Sequence, residues 1–373
     1  MSIHVVHLID SEGMFGAEHV VFNLLIALKE LDFDVILGCL SPTHLPGADL
    51  GRELAKRQIP VVFLNEQKRI SLRGLIAIYR LLKRSHADIL HVNGYKATVL
   101  GGIVSSIIGI PYIATYHGEA AQDLKLLSKY SRVELIFLNR TARIIAVSNR
   151  IKNELTTRGV AVEKISVIHN GIEDPMELNV QPDNKIGYKR RYPHILCVGR
   201  LVPLKRFDLV IDAINTLRKE YPEILLSIAG TGPMEETLKA KVSSLGINEA
   251  VQFLGYVENT RQLYKSADIF VLFSEMEGSP IVLIEAMAYS LPIITTAVGG
   301  IPEMLNNENA IILPSGDVSK LVVSVRQLTS NLEYAKDLGR AARNNFVSRF
   351  KSNIMVNKYV KQYNEIVNKK EIN

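Results

Sequence analysis

Short, almost continuous apolar runs alternate with longer amphipathic stretches along most of this chain. Seven runs occupy its first half, at residues 3–8, 35–40, 61–64, 89–92, 112–115, 144–147 and 166–168. Six more follow, at residues 194–198, 224–229, 251–254, 269–273, 292–295 and 310–313. Strands of a parallel sheet read as continuous apolar runs, because helices cover both faces of the sheet. The pattern therefore predicts an α/β fold built of doubly wound, parallel, Rossmann-like sheets.

This rhythm is interrupted at residues 174–192, a polar stretch that contains Pro175, Pro182 and Gly187. A chain of 373 residues is also too long for one ordinary hydrophobic core. We therefore predict two tandem domains, at residues 1–173 and 193–350, joined by a linker at 174–192 and followed by a helix at 351–373. Ligands of such sheets bind beyond the carboxyl ends of the strands, so we expect a cleft between the two domains.

The composition narrows the possible partners and location. A net charge of +6 fits an acidic small molecule or an anionic surface, and no motif typical of nucleic-acid binding is present. Cys39 and Cys197 lie far apart in apolar runs, which indicates a reducing compartment. Residues 1–28 contain no Lys or Arg and do not resemble a signal peptide. We therefore expect a cytoplasmic protein. Glycines and Pro111 break the uncharged run 97–116, which predicts a buried helix and strand instead of a membrane span.

The stretch 274–288 carries the clearest chemical signal. Glu277 lies on a turn after the apolar run 269–273, and Glu285 follows on the first turns of an apolar helix. Free backbone N–H groups and the helix dipole at such a helix start favour an anionic or polyhydroxyl ligand. The turn that supplies these groups consists of Gly278, Ser279, Pro280 and Ile281. Two solvated carboxylates are the alternative interpretation, which the flanking pattern disfavours.

Polar side chains follow other predicted strands as well. Arg200 and Lys205 share a loop after the run 194–198, and such a cationic pair suits a diphosphate, although a solvated basic loop has the same pattern. Gly16 belongs to a glycine-containing loop after the first strand, where a phosphate can approach the backbone. A plain turn that caps the next helix is an equal alternative.

Two further strand ends are less specific. His117 follows the run 112–115, where a structural or surface histidine is the more common interpretation. Tyr256 and Val257 follow the run 251–254 and can hold a nucleobase with main-chain groups and a flat side face, or form an ordinary turn. The sequence has no metal-binding motif, P-loop or nucleophile elbow.

Together these motifs resemble the signature of the retaining glycosyltransferases of family 4, which have the two-domain GT-B fold. The shared pattern, at residues 277–303, is Glu, Gly, a small residue, Pro, a helix with a second Glu, and then Gly-Gly-x-x-Glu. Other family marks occur in order over nearly the whole chain, among them Gly-Arg and then Lys at 199–205. The family commonly has glycine after that lysine, where this chain has Arg206.

The resemblance implies a nucleotide diphosphate sugar as co-substrate, most commonly a UDP-sugar, with neither a metal nor another cofactor. In the family, the position of Glu285 holds the ribose of the donor. The positions of Tyr256 and Val257 hold its base, and those of Arg200 and Lys205 neutralise its diphosphate.

The resemblance also implies roles around the transferred sugar. The sugar hydroxyls would be held by Glu277 and by the backbone of residues 278–281, with His117 of the first domain on the other side of the sugar. Gly16 would face the donor phosphate and the acceptor. The terminal helix of the family crosses back to the first domain, and we expect the same of residues 351–373.

By resemblance, the reaction is transfer of a hexose-type sugar with retention of its anomeric configuration. The expected acceptor is a hydroxyl of a glycan or lipid-linked glycan in surface polysaccharide biosynthesis. Two alternatives remain from the sequence. One is a nucleotide-sugar 2-epimerase of the same fold, and the other is a non-catalytic protein that binds nucleotide sugars.

A basic amphipathic helix is predicted at residues 68–84. Its basic residues are Lys68, Arg69, Arg73, Arg80, Lys83 and Arg84. Such a helix can lie on anionic lipid at the inner face of a membrane, which makes a membrane surface a candidate partner. An ordinary surface helix of the sheet domain is the favoured interpretation.

Overall fold

The computed structural model describes residues 2–11, 13–14, 16–66, 71–117, 133–177 and 192–372. Contacts between residues divide the chain into two compact units. The first unit comprises Met1–Gly171 and Ser352–Asn373, and the second comprises Ile172–Lys351. The terminal segment thus belongs to the first unit, although it follows the second in sequence.

The first unit contains a parallel sheet of seven strands. These are β1 (His4–Ile9), β2 (Asp34–Cys39), β3 (Val61–Phe63), β4 (Ile89–Asn93), β5 (Tyr112–Tyr116), β6 (Arg143–Ala146) and β7 (Ile165–Val167). Their order across the sheet is β3-β2-β1-β4-β5-β6-β7, and every neighbouring pair is parallel. The order runs outward in both directions from the neighbours β1 and β4, as in a doubly wound fold.

The second unit contains a parallel sheet of six strands. These are β8 (His194–Val198), β9 (Leu225–Ala229), β10 (Val251–Gly255), β11 (Ile269–Leu272), β12 (Ile293–Thr296) and β13 (Ile311–Leu313). Their order is β10-β9-β8-β11-β12-β13, which repeats the order of the first six strands of the first unit. Each of the thirteen strands begins and ends within one residue of its predicted run. The predicted α/β fold class is confirmed.

Helices connect these strands. In the first unit the helices with both ends in the described residues are Gly16–Glu30, Asp49–Lys56, Leu72–Arg84, Tyr95–Ile108, Asn149–Thr157 and Ser352–Ile372. In the second they are Phe207–Leu217, Glu235–Ser244, Arg261–Ser266, Ile281–Ala288, Ile301–Met304, Val318–Ser330 and Leu332–Arg349. Within the described part of the chain, no helix combines the length and the apolar character needed to cross a lipid bilayer.

Both faces of the second sheet are covered. Side chains of Ile195 and Cys197 in β8 join one buried apolar cluster, whereas the intervening Leu196 joins another. Successive side chains of a strand point to opposite faces, so each face of the sheet packs against its own layer of helices. This double burial explains why the strands read as continuous apolar runs.

A buried polar network ties the terminal helix Ser352–Ile372 to the first sheet. His91 of β4 contacts the hydroxyl of Tyr363 through Nδ1 at 2.6 Å and that of Thr115 through Nε2 at 2.7 Å. The hydroxyl of Tyr359 lies 3.3 Å from that of Thr115. Burial holds the pKa of His91 well below its usual value, so the imidazole is neutral. His91 follows the strand-end pattern in the sequence, yet its side chain is part of the core.

An ion pair at Asp174 lies close to the start of the second unit. Both carboxylate oxygens of Asp174 accept from the guanidinium of Arg343, at 2.8 and 2.7 Å. Arg343 also donates to the carbonyl of Ala288 at the end of the helix Ile281–Ala288, at 3.0 Å. Asp174 is the first residue of the predicted linker, and its side chain is buried in the second unit. The predicted domain boundaries stay predictions, because residues 178–191 lie outside the described part of the chain.

Candidate functional site

The order of the second sheet reverses direction between the neighbouring strands β8 and β11. Ligands of open α/β sheets bind at the carboxyl ends of the strands at such a point. The loop after β8 begins with Gly199 and Arg200, and the loop after β11 contains Ser274 and Glu277. Topology alone therefore brings the predicted cationic loop and the predicted carboxylate to the same edge of the sheet.

Lys205 and Glu277 form a close ion pair at this edge. The ammonium of Lys205 donates to Oε1 of Glu277 at 2.6 Å, and the hydroxyl of Ser274 donates to the same oxygen at 2.6 Å. Glu277 is 8% exposed and the side chain of Lys205 is 19% exposed. A charge-assisted pair away from water is held more firmly than a surface pair. The structure thus fixes one cation and one carboxylate side by side, and their roles toward a ligand stay predictions.

Backbone contacts hold together three loops, those after β8, β11 and β12. The N–H of Glu275 donates to the carbonyl of Leu204 at 2.8 Å, and the N–H of Gly300 donates to the carbonyl of Glu277 at 3.1 Å. Gly299 has φ +61°, and a Cβ at this position would overlap the carbonyl oxygen of Glu277. Only glycine allows this approach, which explains a glycine pair after β12.

Arg206 departs from the family pattern and has a clear structural role. Its backbone has φ +49° in the left-handed region, which favours glycine and explains why glycine is common there. Its guanidinium pairs with Asp208, through Nε–Oδ1 at 3.1 Å and Nη2–Oδ2 at 3.2 Å, and also with Glu275. The extra cation is therefore neutralised by neighbouring carboxylates, and Lys205 keeps its own partner.

Glu285 lies on the helix Ile281–Ala288 and accepts a hydrogen bond from the hydroxyl of Tyr264 at 2.7 Å. Burial raises the pKa of Glu285 to about 7, and the hydrogen bond from Tyr264 acts in the opposite direction. The ring of Tyr264 stacks in parallel on that of Tyr289, with centroids 5.4 Å apart. A carboxyl group with a pKa in this range sits at the balance between neutral and charged forms at physiological pH.

The remaining predicted positions of the second unit lie at strand or helix ends. Tyr256 follows β10 and is 57% exposed, whereas Val257 packs against the buried cluster beneath it. The turn before the helix Ile281–Ala288 consists of Gly278, Ser279 and Pro280, and Ile281 is the first helical residue. Roles in donor binding for these residues and for Arg200 stay predictions.

The first unit carries the other two predicted residues. Gly16 is exposed and begins the first helix, next to Glu12 and Phe15, which lie outside the described residues. His117 follows β5 and is half-buried; burial lowers its pKa to about 4. Among the described residues, its Nε2 has no hydrogen-bond partner. The Gly118-Glu119 part of its motif is outside the described part, so the roles of Gly16 and His117 stay predictions.

A cavity of about 690 Å³ lies elsewhere in the first unit, at the amino ends of β5 and β6. Arg140, Arg143 and Glu365 contribute to its walls. None of the predicted site residues lines it. Ligands of these sheets bind at the opposite, carboxyl edge, so we do not connect this cavity with the predicted chemistry. Across the described ranges, no three His, Cys, Asp or Glu side chains are grouped as a metal site would need.

Family profiles match both halves of the chain. The profile described as Glycosyltransferase Family 4 matches residues 15–174, and that described as Glycosyl transferases group 1 matches residues 182–345. The fold and these matches define a glycosyltransferase of the GT-B class. The chain belongs to glycosyltransferase family 4, the glycosyl transferases of group 1.

Two curated relatives are transferases or synthases of glycosides. The UDP-Gal:alpha-D-GlcNAc-diphosphoundecaprenol alpha-1,3-galactosyltransferase of Escherichia coli is 26% identical over 365 residues, 93% of each chain. The N-acetyl-alpha-D-glucosaminyl L-malate synthase of Bacillus anthracis is 26% identical over 292 residues, 76% of each chain. These names favour neither the epimerase nor the non-catalytic alternative.

Solved structures share the fold over nearly the whole chain. HepE of Anabaena, in complex with UDP-glucose, has a TM-score of 0.84 at 20% identity and covers 97% of this chain and 100% of its own. The sucrose-phosphate synthase of Thermosynechococcus elongatus has a TM-score of 0.78 at 18% identity and covers 97% and 99%. The chain has the GT-B fold.

Two contributors to the site had no clear signal in the sequence. Ser274 bonds to the glutamate three residues later, and a serine at a strand end next to an acidic turn is a weak hint of this contact. Tyr264 lies 21 residues before Glu285 on another helix. Only tertiary packing brings them together, so no local pattern could have revealed Tyr264.

Gly299→Ala tests the close backbone approach at Glu277. Gly246 is a matched control, because its φ of +64° equals that of Gly299 within a few degrees and its Cβ would meet nothing within 4 Å. Gly246→Ala should cost about 1 kcal/mol from the left-handed backbone alone. Gly299→Ala should cost about 3 kcal/mol, because a clash adds to that strain. Chemical denaturation measures the free energy of unfolding of both variants. Equal losses would refute the close contact between Gly299 and the carbonyl of Glu277.

Proposed function

We propose that this glycosyltransferase moves a hexose-type sugar from a UDP-linked donor to a hydroxyl of a glycan or lipid-linked glycan in surface polysaccharide biosynthesis. We propose further that it retains the anomeric configuration and needs no metal. One observation carries the proposal, namely the partly buried pair of Lys205 and Glu277 at the reversal point of the second sheet. It joins a cation suited to a leaving diphosphate with a carboxylate suited to sugar hydroxyls.

The proposed mechanism rests on stabilisation of developing charge. When the bond between the sugar and the diphosphate breaks, negative charge grows on the phosphate oxygens. Lys205 and Arg200 would meet this charge, and a preorganised cation in a site shielded from water commonly contributes a few kcal/mol to the rate. Glu277 and the backbone at residues 278–281 would hold the sugar in place during transfer. Without a metal, these two cations are the chain's own means of neutralising the diphosphate.

Recognition of the nucleoside would fall to the other carboxylate. Glu285 would accept hydrogen bonds from the ribose hydroxyls, and the residues after β10, Tyr256 and Val257, would contact the base. UDP is supported as the nucleotide by two relatives. HepE is described in complex with UDP-glucose, and the Escherichia coli relative is named for UDP-Gal. A lipid-linked acceptor is supported by the diphosphoundecaprenol in the latter name.

Release of UDP that depends on an acceptor tests this function. We expect the protein to release UDP from UDP-glucose or UDP-galactose only after a lipid-linked GlcNAc diphosphate or related glycan is added. Glu277→Gln should lower turnover at least about 100-fold, since it removes a charged contact in the transition state. Glu275→Gln is the control, because Glu275 is two residues away, 42% exposed and paired with Arg206 instead.

The anomeric configuration of the product follows from its proton NMR coupling constant. Retention supports the proposal, and inversion contradicts it. UDP release at the same rate without an acceptor, or full turnover by Glu277→Gln, would contradict the assigned reaction or site. Turnover that persists in the presence of a strong metal chelator is expected as well.

The helix Leu72–Arg84 is the proposed membrane contact of this enzyme. Its sequence contains no acidic residue, and Arg73, Arg80, Lys83 and Arg84 are exposed. Three large apolar side chains share that exposed side: Leu72 at 74%, Ile76 at 42% and Tyr79 at 42%. Anionic lipid matches both the apolar stripe and the basic flanks of this helix.

Vesicle sedimentation tests the membrane contact. Vesicles that contain anionic phosphatidylglycerol should bind the protein, and vesicles of phosphatidylcholine alone should not. Arg80→Ser combined with Lys83→Ser should weaken binding about thirtyfold, because each basic residue near an anionic surface contributes about 1 kcal/mol. Lys336→Ser combined with Arg340→Ser, two exposed basic residues of another helix, serves as the control. Equal binding by both double variants would refute the assignment.

A further inference from the structure

The hydroxyl of Tyr264 points at the carboxylate of Glu285, and its surroundings keep it there. Tyr264 is 1% exposed and has two aromatic neighbours. Its ring stacks in parallel on Tyr289, with an angle of 1° between the ring planes, and its centroid lies 5.6 Å from that of Phe270. A buried ring with these neighbours cannot turn away without opening the core.

Only one oxygen of Glu285 is engaged by this contact. The hydroxyl of Tyr264 reaches Oε2 at 2.7 Å and lies 3.4 Å from the carbonyl of Val282 one turn earlier. Glu285 itself is half-buried. A carboxylate accepts up to four hydrogen bonds, so a contact on one oxygen fixes its orientation and leaves capacity for a ligand with two adjacent hydroxyls. Tyr264 lies on the helix Arg261–Ser266. This helix follows the loop that begins with Tyr256 and Val257, the residues expected to contact the base.

We propose that Tyr264 is a positioning residue for donor binding, which orients Glu285 toward the two ribose hydroxyls of the nucleoside diphosphate. This inference rests on the proposed function, and specifically on ribose binding by Glu285. Tyr264 itself does not touch the ligand. Its counterpart Tyr289 supports the ring by stacking, and the hydroxyl of Tyr289 has no hydrogen-bond partner among the described residues.

The electrostatic balance around Glu285 gives this contact a measurable consequence. Burial raises the pKa of Glu285 to about 7, and the hydrogen bond from Tyr264 opposes that rise. Tyr264 stays protonated over the working range, because burial and the nearby Glu285 hold its pKa well above the usual value. Tyr289 also lies near this carboxyl, and burial raises its pKa to about 12. Its phenol therefore keeps its proton between pH 5 and pH 9, and Arg261 lies near Tyr289.

The sign of the pH dependence follows directly. Glu285 accepts two ribose hydrogen bonds best when it is ionised, so donor affinity is full above its pKa and falls as the pH drops through about 7. Without the Tyr264 hydroxyl, the pKa of Glu285 rises further. The loss of affinity should then begin at a higher pH.

Titration calorimetry with UDP and with 2′,3′-dideoxy-UDP, from pH 5.5 to pH 8.5, tests the proposal. At pH 7 we expect Tyr264→Phe to bind UDP about tenfold more weakly than the unchanged protein, because a hydrogen bond to a charged group is lost. The acid limb of its binding profile, that is, the fall in UDP affinity as the pH drops, should move to higher pH. Its preference for UDP over the dideoxy analogue should shrink. Tyr289→Phe removes the hydroxyl of the stacking partner. It should leave the UDP affinity, its pH dependence and the preference over the dideoxy analogue unchanged.

Two results would overturn the proposal. One is an unchanged pH profile in Tyr264→Phe. The other is an equal loss for UDP and the dideoxy analogue, which indicates a structural role only. If Tyr264→Phe fails to fold, 3-fluorotyrosine at this position offers a second variant of nearly the same shape. Its more acidic phenol donates more strongly and should shift the acid limb to lower pH, and no shift would refute the inference. If the unchanged protein binds no UDP at all, the proposed function fails instead.

Discussion

The close approach of two backbone loops at the carboxyl edge of the second sheet is the constraint on which the site depends. Gly299 has no side chain, so the loop after β12 lies directly against the carbonyl of Glu277 and donates to it. This contact fixes the turn after β11 and directs the carboxylate toward Lys205. The pairing of β11 with β12 brings these two loops together, and the reversal of strand order between β8 and β11 brings the loop with Lys205 to the same edge. Main-chain contacts therefore place the loops, and the opposite charges of Lys205 and Glu277 join their side chains.

The two glutamates of the site lie in different environments, which suits different tasks. Glu277 is paired with the ammonium of Lys205 and with the hydroxyl of Ser274. Glu285 accepts a hydrogen bond from the neutral phenol of Tyr264, its one side-chain donor among the described residues, and burial raises its pKa to about 7. One carboxylate is therefore part of a charge pair, and the other has a neutral hydrogen-bond donor and a raised pKa. Under the proposed function, the first would bind the sugar and the second the nucleoside.

The sequence was sufficient to predict the sheets, but it could not predict how their side chains meet. Parallel strands buried on both faces appear in the sequence as continuous apolar runs. The predicted strand ends agree with the observed ones within one residue. Loop positions such as Arg200 and Glu277 followed from strand ends and from the family resemblance. The pair of Lys205 with Glu277 joins residues 72 positions apart, and the contact of His91 with Tyr363 joins residues 272 apart. Such contacts depend on packing between elements. Periodicity and spacing in the sequence indicate local structure and do not predict that packing.

Calorimetric titration of UDP against Lys205→Met tests the central claim most directly, since that claim places the donor diphosphate at this lysine. Lys241→Met is the control, because Lys241 forms a similar pair with Asp212 at 2.7 Å on the surface of the same unit. The account predicts UDP binding at least about tenfold weaker in Lys205→Met, unchanged binding in Lys241→Met, and no difference among the proteins for uridine, which lacks phosphates. UDP binding by Lys205→Met as tight as that of the unchanged protein would contradict it.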